Sequence, residues 1–117
     1  DLIFSWYVCM NVRSNGVVIS KGRATLGVST GQQDRIAAVR LALEKVMARG
    51  HGEELPGSVL ASDGFFPFRD SIDLLADYGV AACVQPGGSI RDRSVRKASD
   101  ENGIAMVLTD ERCFRHF

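Results

Sequence analysis

The sequence has 117 residues, of which 45% are hydrophobic and 24% charged, and its 14 basic and 14 acidic residues cancel. This length and composition indicate one soluble globular domain, and no apolar stretch is long enough to cross a membrane. The zero net charge disfavours a nucleic-acid-binding surface, and the lack of a signal-peptide pattern favours a cytoplasmic location.

The opening segment, which ends near Asn11, predicts an amphipathic helix. Its apolar residues at helical spacing are Ile3, Trp6, Tyr7 and Met10. Two short apolar runs, 17–20 and 24–28, then flank the glycine-containing connection 21–23. A connection of this size joins antiparallel strands, so the sequence predicts a hairpin.

A long helix is predicted over 34–49, because its apolar residues share one helical face. These residues are Ile36, Val39, Leu43, Val46 and Met47. Asp34 lies near the positive end of this helix, where a carboxylate is stabilising. Gly50 occupies the position of a left-handed residue after the helix end.

The second half of the sequence alternates short apolar runs with helical segments. Runs 59–61, 80–84 and 104–108 are typical of parallel strands covered on both faces. Helices are predicted between them, over 70–78 and 92–102, each opened by an aspartate and followed by a glycine. The predicted unit is therefore β-α-β-α-β.

Right-handed crossovers make these strands parallel, so the segments that leave their carboxyl ends meet at one edge of the sheet. Those segments are 62–70, 85–92 and 109–116. Segment 29–35 joins them if the second hairpin strand runs in the same direction. The chemically richest stretches of the sequence are thus expected at one edge.

Segment 62–70, SDGFFPFRD, places three phenylalanines around a proline in a loop. Two interpretations stay open: a stacking platform for a flat heterocycle, or a loop folded back into its own core. Asp70 either caps the following helix, which is the commoner role, or holds the hydrogen-bond donors of a ligand.

Segment 85–92, QPGGSIRD, has two glycines before a helix, so its backbone N–H groups and the positive end of the helix could face an anion or a polar ligand edge. An ordinary Pro-Gly turn is the alternative. Neither G-x-x-x-x-G-K-[ST] nor G-x-G-x-x-G occurs, so ATP and dinucleotides are unsupported.

No metal site is predicted, because Cys9, Cys83 and Cys113 lack the C-x-x-C spacing of metal ligands. They are expected to be buried free thiols. A zinc nucleoside deaminase is disfavoured, since neither H-x-E nor P-C-x-x-C is present.

Six stretches together resemble the last part of the transformylase region of bifunctional AICAR transformylase/IMP cyclohydrolase enzymes. They are RSNGVV, TLGVSTGQQDR, VLASDGFFPFRD, QPGGSIRD, GIAMV and RCFRH, and the resemblance runs from Asp1 to His116. It implies the second of two cytidine-deaminase-like units. Such a unit is a three-layer α/β fold with a mixed sheet of about five strands, here an antiparallel hairpin plus the β-α-β-α-β unit.

The resemblance also implies a half-site for formyl transfer from 10-formyltetrahydrofolate to the nucleotide AICAR. The residues implied to contact the nucleotide are Asn15, Arg35, Phe65 and Arg112. Those implied to contact the formyl-folate cosubstrate are Ile36, Asp70, Ser89 and Ile90. The family's catalytic Lys-His pair belongs to the first unit, and no Lys-His dipeptide occurs here. The chain by itself is therefore expected to be inactive and to need that first unit.

Two further expectations concern partners and alternatives. The family dimerises through this region, so the expected partner is a second copy or a complementary first unit, and neither a membrane nor nucleic acid. The alternative function is a stand-alone nucleotide- or folate-binding domain without catalysis.

Overall fold

The computed structural model of the protein describes residues 2–12 and 14–109. Its helices are α1 (Leu2–Cys9), α2 (Arg35–Ala48), α3 (Asp70–Asp77) and α4 (Asp92–Asn102), with a 3-10 turn at Gly52–Glu54. Its strands are β1 (Val17–Lys21), β2 (Ala24–Ser29), β3 (Val59–Ser62), β4 (Ala82–Gln85) and β5 (Ala105–Leu108). Each predicted helix and strand is present, with ends that differ by a few residues.

The five strands form one mixed sheet in the order β2-β1-β3-β4-β5. Strand β1 is antiparallel to both β2 and β3, whereas β3, β4 and β5 are parallel. Two antiparallel pairings separate β2 from β3, so β2 runs in the same direction as the parallel strands. The condition for segment 29–35 to join the edge at their carboxyl ends is thus met.

The sheet is covered on both faces, which gives a three-layer α/β/α unit. One face packs with α2, α3 and α4 and contributes residues such as Ile19, Leu60 and Cys83. The opposite face, with Ala61 and Val84, packs against α1 and Cys9. None of the helices in the described ranges has the length and apolar character needed to cross a bilayer.

The predicted inner face of α1 is wrong. Ile3 is 74% exposed and Tyr7 is 64% exposed, whereas Ser5 and Cys9 are fully buried. The helix sequence LIFSWYVC contains no charged residue, so periodicity alone does not define its buried side. The buried side is the one with small polarisable or hydrogen-bonding groups: the Ser5 hydroxyl is hydrogen-bonded to the Ser20 hydroxyl.

Helix α2 begins one residue later than predicted, because Asp34 is its N-cap and accepts a hydrogen bond from the Ala37 N–H at 2.8 Å. Met47, predicted on the apolar face, is half exposed, and the small residues Ala38 and Ala42 are buried instead. These small residues let α2 lie close to β2. A Cβ atom added at Gly27 would stand 2.6 Å from the Ala42 carbonyl oxygen.

The prediction of buried thiols is confirmed for two of the cysteines. Cys9 and Cys83 are buried and not disulfide-bonded. Burial raises the pKa of the Cys83 thiol to about 12, because the thiolate would lose its hydration. Cys113 lies outside the described residues.

Candidate functional site

The carboxyl ends of β2, β3, β4 and β5 lie at one edge of the sheet, which we call the carboxyl rim. Two loops leave this rim: the aromatic loop, residues 63–69, between β3 and α3, and the glycine loop, residues 86–91, between β4 and α4. Arg35, at the start of α2, is delivered to the same rim by the segment after β2. The implied nucleotide contact Arg112 lies outside the described residues.

A buried ion pair ties the start of α2 to the end of β3. The Arg35 side chain is 6% exposed, and its Nη1 donates to Asp63 Oδ1 at 2.7 Å. The same nitrogen donates to the Gly16 carbonyl at 3.2 Å, and Nη2 donates to Asn15 Oδ1 at 2.9 Å. Asn15 Nδ2 in turn donates to the Gln33 carbonyl at 3.2 Å. The structure therefore brings Asn15 and Arg35 into direct contact.

Asp63 is the residue that the sequence analysis missed. It is fully buried directly after β3, and its carboxylate balances the charge of Arg35 in a place where an unpaired guanidinium would be costly. The available signal was an acid at the carboxyl end of a buried run. Arg35 Nε is also buried, and it has no acceptor within residues 2–12 and 14–109.

The interpretation of a loop folded back into its own core holds for one of the three phenylalanines in the aromatic loop. Phe66 is fully buried and belongs to the core between the sheet and α2–α4. Phe65 is partly buried, and Phe68 is about half exposed. The loop is folded by its own contacts, since the Ser62 hydroxyl donates to the Gly64 carbonyl at 2.8 Å. One ring therefore anchors the loop, and its neighbours remain accessible at the rim.

The glycine loop does not offer the free N–H groups that an anion would need. The Asp92 carboxylate accepts from the Gly88 N–H at 2.9 Å and from the Ser89 N–H at 3.1 Å. Gln85 Oε1 accepts from the Gly87 N–H at 3.3 Å. The anion-contact interpretation is therefore wrong for these N–H groups, because side chains of the same segment already satisfy them. Gly87 and Gly88 have φ of 76° and 103°, as in a glycine-dependent turn.

The implied cosubstrate contacts Ser89 and Ile90 lie in the glycine loop. Ser89 is partly buried, and its hydroxyl accepts from the Arg91 N–H at 3.0 Å. Ile90 is 99% exposed, which is unusual for a large aliphatic side chain in a short, well-bonded loop. The Arg91 guanidinium lies 5.0 Å from the centre of the Phe68 ring, within cation–π range, so the glycine loop touches the aromatic loop.

The other two implied cosubstrate contacts lie in the first turns of two helices. Asp70 is exposed, and its Oδ1 accepts from the Ser71 N–H at 2.8 Å. It is the first residue of α3 rather than its N-cap, which is Arg69. Its charge still lies at the positive end of the helix. Ile36 is partly buried in the first turn of α2, next to Arg35.

A surface ion-pair cluster fixes the end of the aromatic loop. Arg69 Nε donates to Asp73 at 3.0 Å, and Arg69 Nη2 donates to Glu101 at 2.7 Å. Asn102 Nδ2 also donates to Asp73, at 3.0 Å. The Arg69 hydrogen bonds lower the pKa of Asp73, and they raise the pKa of Arg69 above its usual value. The cluster links α3 to α4 behind the rim.

One surface cavity lies away from the two loops. A cavity of 540 Å³ lies between α4 and β5, with Ser99, Ile104 and Met106 among its lining residues. Of the implied site residues that the structure describes, none lines this cavity. Within residues 2–12 and 14–109, no group of three or more His, Cys, Asp or Glu side chains is placed to hold a metal ion.

Sequence comparison connects this arrangement to a family of enzymes. Residues 1–45 match the family described as AICARFT/IMPCHase bienzyme. The chain is similar to bifunctional purine biosynthesis proteins. Those named PurH from Persephonella marina, Nostoc punctiforme and Aquifex aeolicus are 51%, 48% and 48% identical to it over 116 residues. The similarity covers 99% of this chain but 22% of the length of each relative.

Comparison with solved structures shows the fold. A Thermotoga maritima diaminohydroxyphosphoribosylaminopyrimidine deaminase/5-amino-6-(5-phosphoribosylamino)uracil reductase matches with a TM-score of 0.63 at 19% identity, covering 92% of this chain and 33% of that protein. The dCMP deaminase of cyanophage S-TIM5 matches with a TM-score of 0.61 at 17% identity, covering 92% of this chain and 94% of the deaminase. The chain therefore has the predicted cytidine-deaminase-like α/β fold.

Proposed function

We propose that this chain is the carboxy-terminal half-site of an AICAR formyltransferase in de novo purine (IMP) biosynthesis. In this proposal the carboxyl rim binds AICAR and 10-formyltetrahydrofolate, and formyl transfer requires a companion unit that carries a Lys-His pair. The observation that carries the proposal is the buried contact of Arg35 with Asp63 and Asn15, because Asp63 lies two residues before Phe65 in the aromatic loop. It places a fixed cationic donor and an accessible aromatic ring at one rim.

The similar proteins have two activities in their family description, and the choice of the transformylase is our own. It rests on the strings SDGFFPFRD and QPGGSIRD, which form the aromatic and glycine loops. These two loops touch each other and belong to the rim that also holds Arg35. A site built from them suits a flat, polar guest better than the α4–β5 cavity, which the strings do not reach.

The chemistry assigns different tasks to the two sides of the rim. The aminoimidazole ring of the nucleotide is flat, so it can stack on the ring of Phe65, while Arg35 donates hydrogen bonds to its polar substituents. The folate cosubstrate lies toward Ile36, Asp70, Ser89 and Ile90. Asp70 can accept hydrogen bonds from the donor edge of a pterin, and Ile90 offers an exposed apolar contact.

The reaction itself is an acyl transfer. The 5-amino nitrogen of the nucleotide forms a bond to the formyl carbon, the bond from that carbon to N10 of the folate breaks, and one proton passes from the amine to N10. The chain has no Lys-His dipeptide to serve this proton transfer, so we assign it to the companion unit. The task of this chain is to hold both substrates at reacting distance. No metal is needed for these steps.

A reconstitution assay tests the proposal. The chain is mixed with a companion unit containing the Lys-His pair, and release of tetrahydrofolate is followed in the presence of AICAR. Activity is expected only in the mixture. The variant Phe65→Ala should raise the KM for AICAR about fivefold or more, because a stacking contact contributes roughly 1 kcal/mol or more. Tyr78→Ala removes an aromatic ring from the far end of α3 and should leave the KM unchanged. Absence of transfer at every mixing ratio would count against the proposal.

The alternative is a stand-alone domain that binds the nucleotide or folate without catalysis. Calorimetric titration of AICAR and of a folate analogue separates the two functions. A binding domain would show the same affinities with and without the companion unit. A half-site gains affinity when the companion completes the pocket. Dilution of the same samples in the calorimeter shows whether the chain self-associates, as a dimeric site would require.

A further inference from the structure

We infer that Gln85 is a positioning residue that holds the aromatic loop and the glycine loop at a fixed separation, and so sets the distance between the two substrates. The inference rests on the proposed function, because Phe65 lies on the nucleotide side and Ser89 and Ile90 lie on the cosubstrate side. Gln85 is the last residue of β4 and is 1% exposed. It belongs to none of the residue sets assigned to either substrate.

The geometry of the Gln85 amide supports this role. Its Oε1 accepts from the Phe66 N–H at 3.2 Å and from the Gly87 N–H at 3.3 Å. Both neighbours are donors, so the atom that faces them has to be the oxygen rather than the amide nitrogen. The Nε2 group points toward Met106 Sδ at 3.6 Å, a weak acceptor that holds the amide in this orientation. One acceptor atom thus bridges two separate loops.

Each of the two loops is held in its conformation by contacts of its own. The aromatic loop is anchored by buried Phe66, and the glycine loop is bonded internally through Asp92. The two loops also contact each other through the exposed pair of Phe68 and Arg91. Because an exposed cation–π contact is weak, Gln85 is the buried link that determines how the loops are spaced.

The variant Gln85→Met tests this inference in the assembled enzyme. Methionine has the same length but offers no oxygen acceptor, so the loops keep their own contacts and lose the bridge. The kcat should fall at least about tenfold, with the KM for each substrate changed less than about threefold, since misplaced substrates still bind but react slowly. Gln85→Glu restores an oxygen at the same reach and should return kcat to within about threefold of the wild type.

A stability control and a function-independent measurement complete the test. Val46→Ala creates a core cavity in α2 away from the rim, so it should lower the melting temperature without changing kcat per folded molecule. Amide hydrogen exchange at Phe66 and Gly87 should quicken in Gln85→Met and not in Gln85→Glu. If exchange is unchanged in Gln85→Met, or if that variant only loses stability as Val46→Ala does, the inference is overturned. An inactive wild-type assembly would contradict the proposed function instead. The amide exchange rates would still show whether Gln85 links the two loops.

Discussion

The ion pair between Arg35 and Asp63 is the contact at the rim whose loss should be most costly for folding. Asp63 is fully buried and Arg35 is 6% exposed, so the variant Asp63→Ala leaves a guanidinium in the interior without its carboxylate. Removing one partner of a buried pair costs about 3–5 kcal/mol. A domain of this size has a free energy of unfolding of about 5–15 kcal/mol, so the loss is a large share of the total.

Two further variants separate charge from packing. Asp63→Asn retains an oxygen that can accept the 2.7 Å hydrogen bond, so it should cost less, about 1–3 kcal/mol. The double variant Arg35→Met with Asp63→Leu removes both charges and fills similar volume. It should be less destabilised than the sum of its single variants by about 2 kcal/mol or more, because each single variant leaves one buried charge unpaired.

Urea unfolding followed by circular dichroism measures these differences, with the midpoint and slope fitted for each variant. The control is Lys21→Met, since the Lys21 ammonium bonds the Pro56 carbonyl in an exposed place. A cost below about 1 kcal/mol for Asp63→Ala, or additive single-variant costs in the double variant, would refute the reasoning from burial.

Three other predictions concern packing and pH. Gly27→Ala should destabilise the protein by about 1–3 kcal/mol in the same urea assay, because its Cβ would lie 2.6 Å from the Ala42 carbonyl oxygen; an unchanged midpoint would contradict the close approach of α2 to β2. Burial raises the pKa of Cys83 to about 12, so the stability linked to its protonated thiol is complete below the unfolded pKa near 9 and is lost as pH rises from there toward 12. Between these values the free energy of unfolding of the wild type should fall by up to about 1.4 kcal/mol per pH unit more than that of Cys83→Ala, as measured by unfolding at alkaline pH. Arg69 lowers the pKa of Asp73, so the stability that Asp73 contributes is present above the unfolded pKa of 3.8 and is lost as pH falls below it. In Arg69→Met the melting temperature should therefore decrease less steeply at acid pH than in the wild type. The same decrease in both proteins would contradict a stabilising role of the cluster.

The sheet could be predicted from the sequence because its strands are short apolar runs separated by helices with clear ends. Parallel strands need crossovers, and right-handed crossovers then fix which ends share an edge. The sequence therefore predicts that the aromatic and glycine loops lie together at the carboxyl rim, as the structure shows. The direction of β2 cannot be predicted from the sequence, since a hairpin pattern does not show which of its strands pairs with β3.

The buried side of α1 could not be predicted from periodicity, because apolar residues surround the whole helix. Which side of α1 is buried depends on which side can approach the sheet, and the side with the small residues Ser5 and Cys9 approaches most closely. The larger side chains of Ile3 and Tyr7, by contrast, are exposed. Burial in this helix is therefore a property of the tertiary packing.

The pairing of polar side chains at the carboxyl rim also could not be predicted from the sequence. Arg35 and Asp63 are 28 residues apart, and their pairing depends on α2 and β3 being brought together. Gln85 and Asp92 are near the glycine loop in sequence, yet their role as acceptors requires the turn at Gly87 to be formed first. The sequence predicts which loops lie at the carboxyl rim, and only the structure shows the hydrogen bonds that organise them.

The measurement that tests the central claim most directly is a chemical-shift map of ligand binding on the assembled enzyme. AICAR should perturb signals of Asn15, Arg35 and the aromatic loop, and a folate analogue should perturb Asp70, Ser89 and Ile90. Perturbations confined to the cavity between α4 and β5, or absent from the carboxyl rim for both ligands at saturation, would contradict the account.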